Sequence, residues 1–136
     1  MSAPLYCGGC LCGAVRYRAD GAAHNLCYCH CESCRRATGA AWAAWATFER
    51  AHFRVTRGEL REYRSSARVL RGFCAACGSS LTYRSEARPA EIDVTLVTLD
   101  EPAQLSPQMH VWVADKLPWV LISDELPQHP AGGGAP

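Results

Sequence analysis

"CYCHCESC" (residues 27–34) sets four cysteines and a histidine in eight positions. A disulfide joins only two sulfurs at a time, and loops this short would strain it. The stretch instead suggests thiolates gathered around a metal. Nine cysteines fall in three groups: Cys7, Cys10 and Cys12; Cys27, Cys29, Cys31 and Cys34; Cys74 and Cys77. An odd number cannot all be paired. The opening "MSAPLYCGGC" (1–10) has neither a basic n-region nor an apolar h-region, so no signal peptide is expected. The expected compartment is the cytoplasm, where thiols stay reduced and cysteine clusters serve metals. No apolar run approaches the length of a membrane span.

Spacing sorts the groups. "FCAACGSSL" (73–81) reads as a zinc knuckle, with Gly78 permitting the tight backbone around Cys74 and Cys77. A closed tetrahedral site needs two more ligands. In an extended segment alternate side chains share a face, so Cys10 and Cys12 of "CLC" can reach one metal together. Cys7 and Cys10, spaced C-x-x-C, are a second possible pair. Either way the site joins distant segments, and its role is structural. "CHCESC" (29–34) then offers Cys29, Cys31 and Cys34. Three protein ligands leave one zinc position open, as in catalytic sites. Cys27 or His30 would close that position and make the second site structural as well; spacing leaves both outcomes open.

The rest of the chain is expected to be mainly β. "AVRYR" (14–18), "FRVTR" (53–57), "LREYR" (60–64) and "EIDVTLV" (91–97) alternate apolar and polar residues. "ARVLRGF" (67–73), "SLTYR" (80–84), "MHVWV" (109–113) and "WVLI" (119–122) are further strand candidates. Arg57–Gly58–Glu59 fits a hairpin connection, and "ESCRRAT" (32–38) a short helix stopped by Gly39. "AAWAAWATF" (40–48) is ambiguous between helix and strand. One domain is expected over residues 1–127, with 128–136, "QHPAGGGAP", a disordered Gly/Pro tail. Formal net charge is +1, which gives no global field for nucleic acid. The distribution is uneven. Residues 1–85 hold twelve arginines against five acids, and residues 86–136 two cations against eight acids. Pairing between the halves is the plain explanation; a local basic rim for a small anion is the sharper one.

Four stretches, "GGCLCGAVRY" (8–17), "CHCESCRRATG" (29–39), "RGFCAACGSSLTYR" (71–84) and "HVWVADKLPWVLISDELP" (110–127), resemble in order and separation the family of glutathione-dependent formaldehyde-activating enzymes and centromere protein V-like proteins. The resemblance implies an Mss4-like fold of short antiparallel strands around two zinc ions. It implies a structural zinc on Cys10, Cys12, Cys74 and Cys77, and a catalytic zinc on Cys29, Cys31 and Cys34. Leu11 replaces the histidine common between the first two cysteines, and Cys7 and Cys27 are additions to the pattern.

The implied activity is a carbon–sulfur lyase of the S-hydroxymethylglutathione synthase type. Its partners would be a small thiol, glutathione or similar, and an aldehyde, formaldehyde in the parent case. Arg35 and Arg36 follow ligand Cys34 and would meet substrate carboxylates, offset thiolate charge, or simply be solvated. Trp42 and Trp45 read as core or as pocket wall, and His110 as a packed strand residue or a proton carrier. The rival readings are a non-catalytic zinc module for a protein partner, with Cys27 closing the second site, and a nucleic-acid zinc ribbon. The near-neutral charge and the lack of a basic aromatic stripe argue against the ribbon.

Overall fold

Alternating side chains place ten strands in two sheets in the computed structural model, which describes residues 3–132. The smaller sheet has the order β1 (Leu5–Gly9), β2 (Arg16–Asp20), β5 (Phe53–Arg57). The larger runs β10 (Met109–Val111), β3 (His24–Cys29), β4 (Ala43–Glu49), β9 (Glu91–Thr95), β8 (Ser80–Ser85), β7 (Val69–Cys74), β6 (Leu60–Ser66). All pairs are antiparallel except β10 on β3. One helix, α1 (Glu32–Thr38), follows β3 and ends at Gly39 in the left-handed region, φ 68°. The mainly β expectation holds.

The large sheet uses its two faces differently, and strand alternation makes that possible. Ala46 and Phe48 of β4, Ile92 and Val94 of β9 and Leu81 of β8 join Tyr17 and Ala19 of β2 in the main core. Phe48 and Leu81 are fully buried, each stabilising by about 2 kcal/mol. Trp45, Cys27, Cys29 and Val111 point to the other face and form a second cluster. There Thr47, Asp93, Tyr83 and Arg71 lie directly opposite one another across β4, β9, β8 and β7.

Two sequence expectations change, and one open reading is settled. Residues 57–59 do not make a hairpin: β5 pairs with β2 while β6 pairs with β7, so the turn carries the chain from one sheet to the other. Residues 119–122 form no strand. Their carbonyls find Lys116 instead, whose Nζ donates to Val120 O at 2.7 Å, and Trp119 and Leu121 stay exposed. The ambiguous 40–48 stretch gives β4, because alternation suits a sheet with two occupied faces. Residues 128–131 lie along β10 and the turn after it. β10 has a free edge, and Pro127 O accepts from His110 N (2.8 Å) while Ala131 O accepts from Trp112 N (2.9 Å). A Pro/Gly-rich segment can supply carbonyls to such an edge without needing N–H groups of its own. Residues 133–136 of the expected tail lie outside the described residues.

Gly58 is required at its crossover. Its φ is +72°, and a Cβ there would stand 2.1 Å from Ala14 O. Gly58→Ala is therefore expected to destabilise the protein by about 2 kcal/mol or more. Chemical denaturation measures this, and an unchanged midpoint would refute the crowding.

Candidate metal centres

The first sulfur cluster joins the turn after β1 to the turn after β7. The Sγ atoms of Cys10, Cys12, Cys74 and Cys77 all lie within 4.8 Å of one another. Cys10 and Cys12 are 3.6 Å apart, and Cys12 and Cys74 3.8 Å. A zinc–sulfur bond of about 2.3 Å gives a tetrahedral edge of about 3.8 Å, so the donor set matches a zinc tetrathiolate. Backbone N–H groups already face the sulfurs: Val15 N donates to Cys10 Sγ (3.2 Å) and Cys77 N to Cys74 Sγ (3.4 Å). Ser79 Oγ lies 3.2 Å from Cys77 Sγ, and with further backbone contacts it lowers that thiol to about 5. Leu11 N donates to the same Ser79 hydroxyl, binding the two turns together. Leu11 itself is exposed.

The second cluster sits where β3 gives way to α1. Cys29 ends the strand, Cys31 caps the helix and Cys34 lies in its first turn. Their Sγ atoms also lie within 4.8 Å of one another. Cys31 Sγ accepts from Cys34 N (3.3 Å), a cap that doubles as a thiolate donor. Hydrogen bonds from Cys29 and Cys34 hold the Cys31 thiol far below its usual range, and the Arg71 charge adds to this. The Arg71 guanidinium lies against Cys34 Sγ, Nη1 at 3.7 Å and Nη2 at 3.8 Å. This arginine is 9% exposed, with its Cζ 5.0 Å from the centre of the Tyr83 ring.

All three sulfurs face a cavity of about 760 Å³ whose walls include Trp45, Arg71, Tyr83 and Asp93. Burial holds the Asp93 carboxyl above the usual carboxylate range, while Thr47 Oγ1 donates to it at 2.6 Å. Two non-glycine residues with positive φ, Asn25 (49°) and Trp112 (58°), also line this cavity. Unfavourable backbone conformations thus concentrate at the site.

Cys27, also on the cavity wall, is not part of the three-sulfur group. Burial pushes its thiol up to about 12. His30 turns to the opposite side of the sheet, as alternation from an extended segment requires, and stacks on His110 with ring centres 5.1 Å apart. Burial lowers the His30 pKa. Cys7 lies exposed on β1, outside both clusters. Arg35 and Arg36 do not reach the cavity. Arg35 Nε donates to His30 O (3.2 Å), and Arg36 pairs with Glu32 on the surface. Trp45 is both core and cavity wall, whereas Trp42 packs its edge against His30 and His110. Sequence reasoning missed Arg71 and Asp93; their alternation with core residues in "VLRGFC" and "EIDVT" was the available signal.

Fold and site together define a mainly β protein with two cysteine clusters, each able to hold a metal ion. The chain belongs to the family of glutathione-dependent formaldehyde-activating enzymes, whose family model matches residues 5–115. Its architecture agrees with the Mss4-like fold. A protein of Schizosaccharomyces pombe, described as an uncharacterized lyase, is 33% identical over 81 residues. That match covers 59% of this chain and spans 58% of the relative's length. A crystal structure of a Rhodobacter sphaeroides protein is similar at TM-score 0.58 and 29% identity, covering 69% of this chain and 87% of the other. Among the described residues, no helix is long and apolar enough to cross a membrane.

With Cys27 outside the cluster, Cys27→Ala should leave the metal-to-protein ratio of the purified protein unchanged, and Cys34→Ala should lower it. Elemental analysis against sulfur content reads both ratios. A loss of metal from Cys27→Ala equal to that from Cys34→Ala would place Cys27 among the ligands.

Proposed function

We propose that the chain is a zinc-dependent lyase-type enzyme of carbon–sulfur chemistry. It interconverts a small thiol, glutathione or a similar peptide thiol, and an aldehyde, formaldehyde in the simplest case, with their hemithioacetal. The observation that carries this reading is the three-sulfur cluster at the wall of the cavity, with Cys27 and His30 both outside it. Family membership and the lyase description of the S. pombe relative support it. In this reading Cys10, Cys12, Cys74 and Cys77 hold a structural zinc, and Cys29, Cys31 and Cys34 a catalytic one. A zinc ion held by these three cysteines would favour the ionised form of a thiol, ordinarily of pKa about 8.5, at neutral pH.

The chain's own groups do the rest. Arg71 places its positive charge against Cys34 and favours an anionic sulfur next to the cluster. Trp45 and Val111, both buried, give the sulfur end of the cavity an apolar wall beside Arg71. A cavity near 760 Å³ accommodates a peptide-sized thiol. The thiol sulfur forms the new bond to the aldehyde carbon. The carbonyl π pair moves to oxygen, which takes up a proton in place of the one the thiol released to solvent, and gives the hemithioacetal; the reverse direction breaks the carbon–sulfur bond and returns the proton to the thiol. The protein's contribution is capture and orientation of the thiol. Nine free thiols suit a reducing compartment such as the cytoplasm.

X-ray absorption tests the capture step. Saturating thiol should raise the mean number of sulfurs around the protein's zinc, and exchange NMR should show hemithioacetal formation faster than the uncatalysed rate. An unchanged sulfur number with no rate effect would leave the non-catalytic zinc module as the reading. Arg71→Met should weaken thiol binding by about tenfold or more, as loss of a charge-assisted contact does, with Arg71→Lys in between. Equal affinity in all three proteins would remove Arg71 from the site.

A further inference from the structure

His30 stands between two cluster cysteines, and every polar group on it but one is engaged. Its N–H donates to Val111 O (3.0 Å), and its carbonyl accepts from Arg35 Nε (3.2 Å). Its ring is fully buried, with Nε2 2.9 Å from His110 Nδ1. His110, equally buried, places Nε2 2.9 Å from Asp124 Oδ2 and 3.1 Å from Oδ1. The direction of these bonds follows from chemistry. A carboxylate only accepts, so His110 Nε2 carries the proton. In a neutral ring His110 Nδ1 then accepts, and His30 Nε2 must donate. His30 Nδ1 is left as a buried acceptor without a partner among the described residues. Tyr28 packs on the His110 ring, with centres 4.9 Å apart, and Trp42 packs on both imidazoles, 5.2 Å from His30 and 5.8 Å from His110.

Aromatic or aliphatic side chains of the same size would fill this space without the cost of burying imidazoles and an unpartnered nitrogen. A directed chain of hydrogen bonds does what packing alone does not: it fixes the rotation and tautomer of each ring. We propose that Asp124 and His110 are positioning residues for the Cys29–Cys34 cluster. The chain of hydrogen bonds from the Asp124 carboxylate through His110 to His30 locks the turn that aims Cys29 and Cys31. The C-terminal segment thereby sets how firmly the second metal is held. The segment is itself fastened to β10 through Pro127 O on His110 N, so ring and backbone of His110 engage the same stretch. The inference rests on the reading that this cluster binds metal.

The test uses the zinc-loaded full chain, with Asp124→Ala and Asp124→Asn as variants. An asparagine oxygen still accepts from His110 Nε2–H; alanine offers nothing. Long-range ¹⁵N imidazole spectra should show protonated Nε2 and bare Nδ1 on His30 and His110 in the wild type and in Asp124→Asn. Asp124→Ala should lose that pattern on His110. With a chromogenic chelator, Asp124→Ala should release one of two zinc equivalents about tenfold faster, the low end of outer-sphere effects, while Asp124→Asn stays near the wild-type rate. The proposal is overturned if Asp124→Ala releases zinc at the wild-type rate, if both variants accelerate equally, or if both equivalents leave faster together, which would mark a general loss of stability. A wild-type protein that binds one zinc overturns the metal reading of this cluster and the proposal with it.

Discussion

Sulfur atoms from separate parts of the chain meet at contact distance, and the rest of the structure is arranged around that fact. Neutral thiols gain little from touching, and thiolates repel one another. Such clusters persist when positive charge or dipoles face them. The protein supplies part of this itself, through backbone N–H groups on Cys10, Cys31 and Cys74 and the guanidinium on Cys34. A divalent ion would supply the remainder. In the first cluster the partners are 62 positions apart, so the contact closes a long loop and fastens the turn after β1 to the turn after β7. Closing a long loop removes more freedom from the unfolded chain than closing a short one, though the gain grows only slowly with length.

The second cluster makes a different use of the same sulfurs. It spans only six residues, so it adds little by closing a loop. What it depends on is the change from strand to helix between Cys29 and Glu32, where Cys31, still extended, caps the helix. That change brings Cys34 back toward Cys29, while alternation sends His30 to the far side of the sheet. The large sheet can thus carry a hydrophobic core on one face and a lined cavity on the other, because its strands alternate in step across the register from β3 to β7.

How much of this was legible in the sequence follows from the range of each interaction. The grouping of the cysteines was legible because C-x-C and C-x-x-C spacings are local and chemically narrow. Strands β2, β5 and β9 were legible because one face is more buried than the other and alternation survives in the letters. The turn at Gly58 was misjudged because a positive-φ glycine marks a change of direction without saying which sheet receives the next strand. Contacts of residues 128–131 with β10 were not legible, because composition reports what a segment cannot bury and not that a strand edge nearby will accept its carbonyls. Arg35 and Arg36 were attractive for their place next to Cys34. The arginine that reaches the sulfur comes instead from β7, 37 positions away, and spacing carries no trace of that approach.

The uneven charge of the two halves resolves into two different things. Arg16 with Asp100, Arg64 with Glu86 and His24 with Glu91 pair residues of the two halves at the surface. Exposed pairs of this kind contribute little stability and mainly discourage wrong registers. Arg71 is another matter. It is buried, and among the described residues no carboxylate lies within salt-bridge distance of it. A buried guanidinium is best matched by an anion, and Arg71 faces the sulfur of Cys34, with Ser65 Oγ accepting from its Nε. Ionised sulfurs need the cation in turn. If the cluster is ionised on a metal, it and Arg71 are conditions for each other: removing charge from either leaves the other costly to bury.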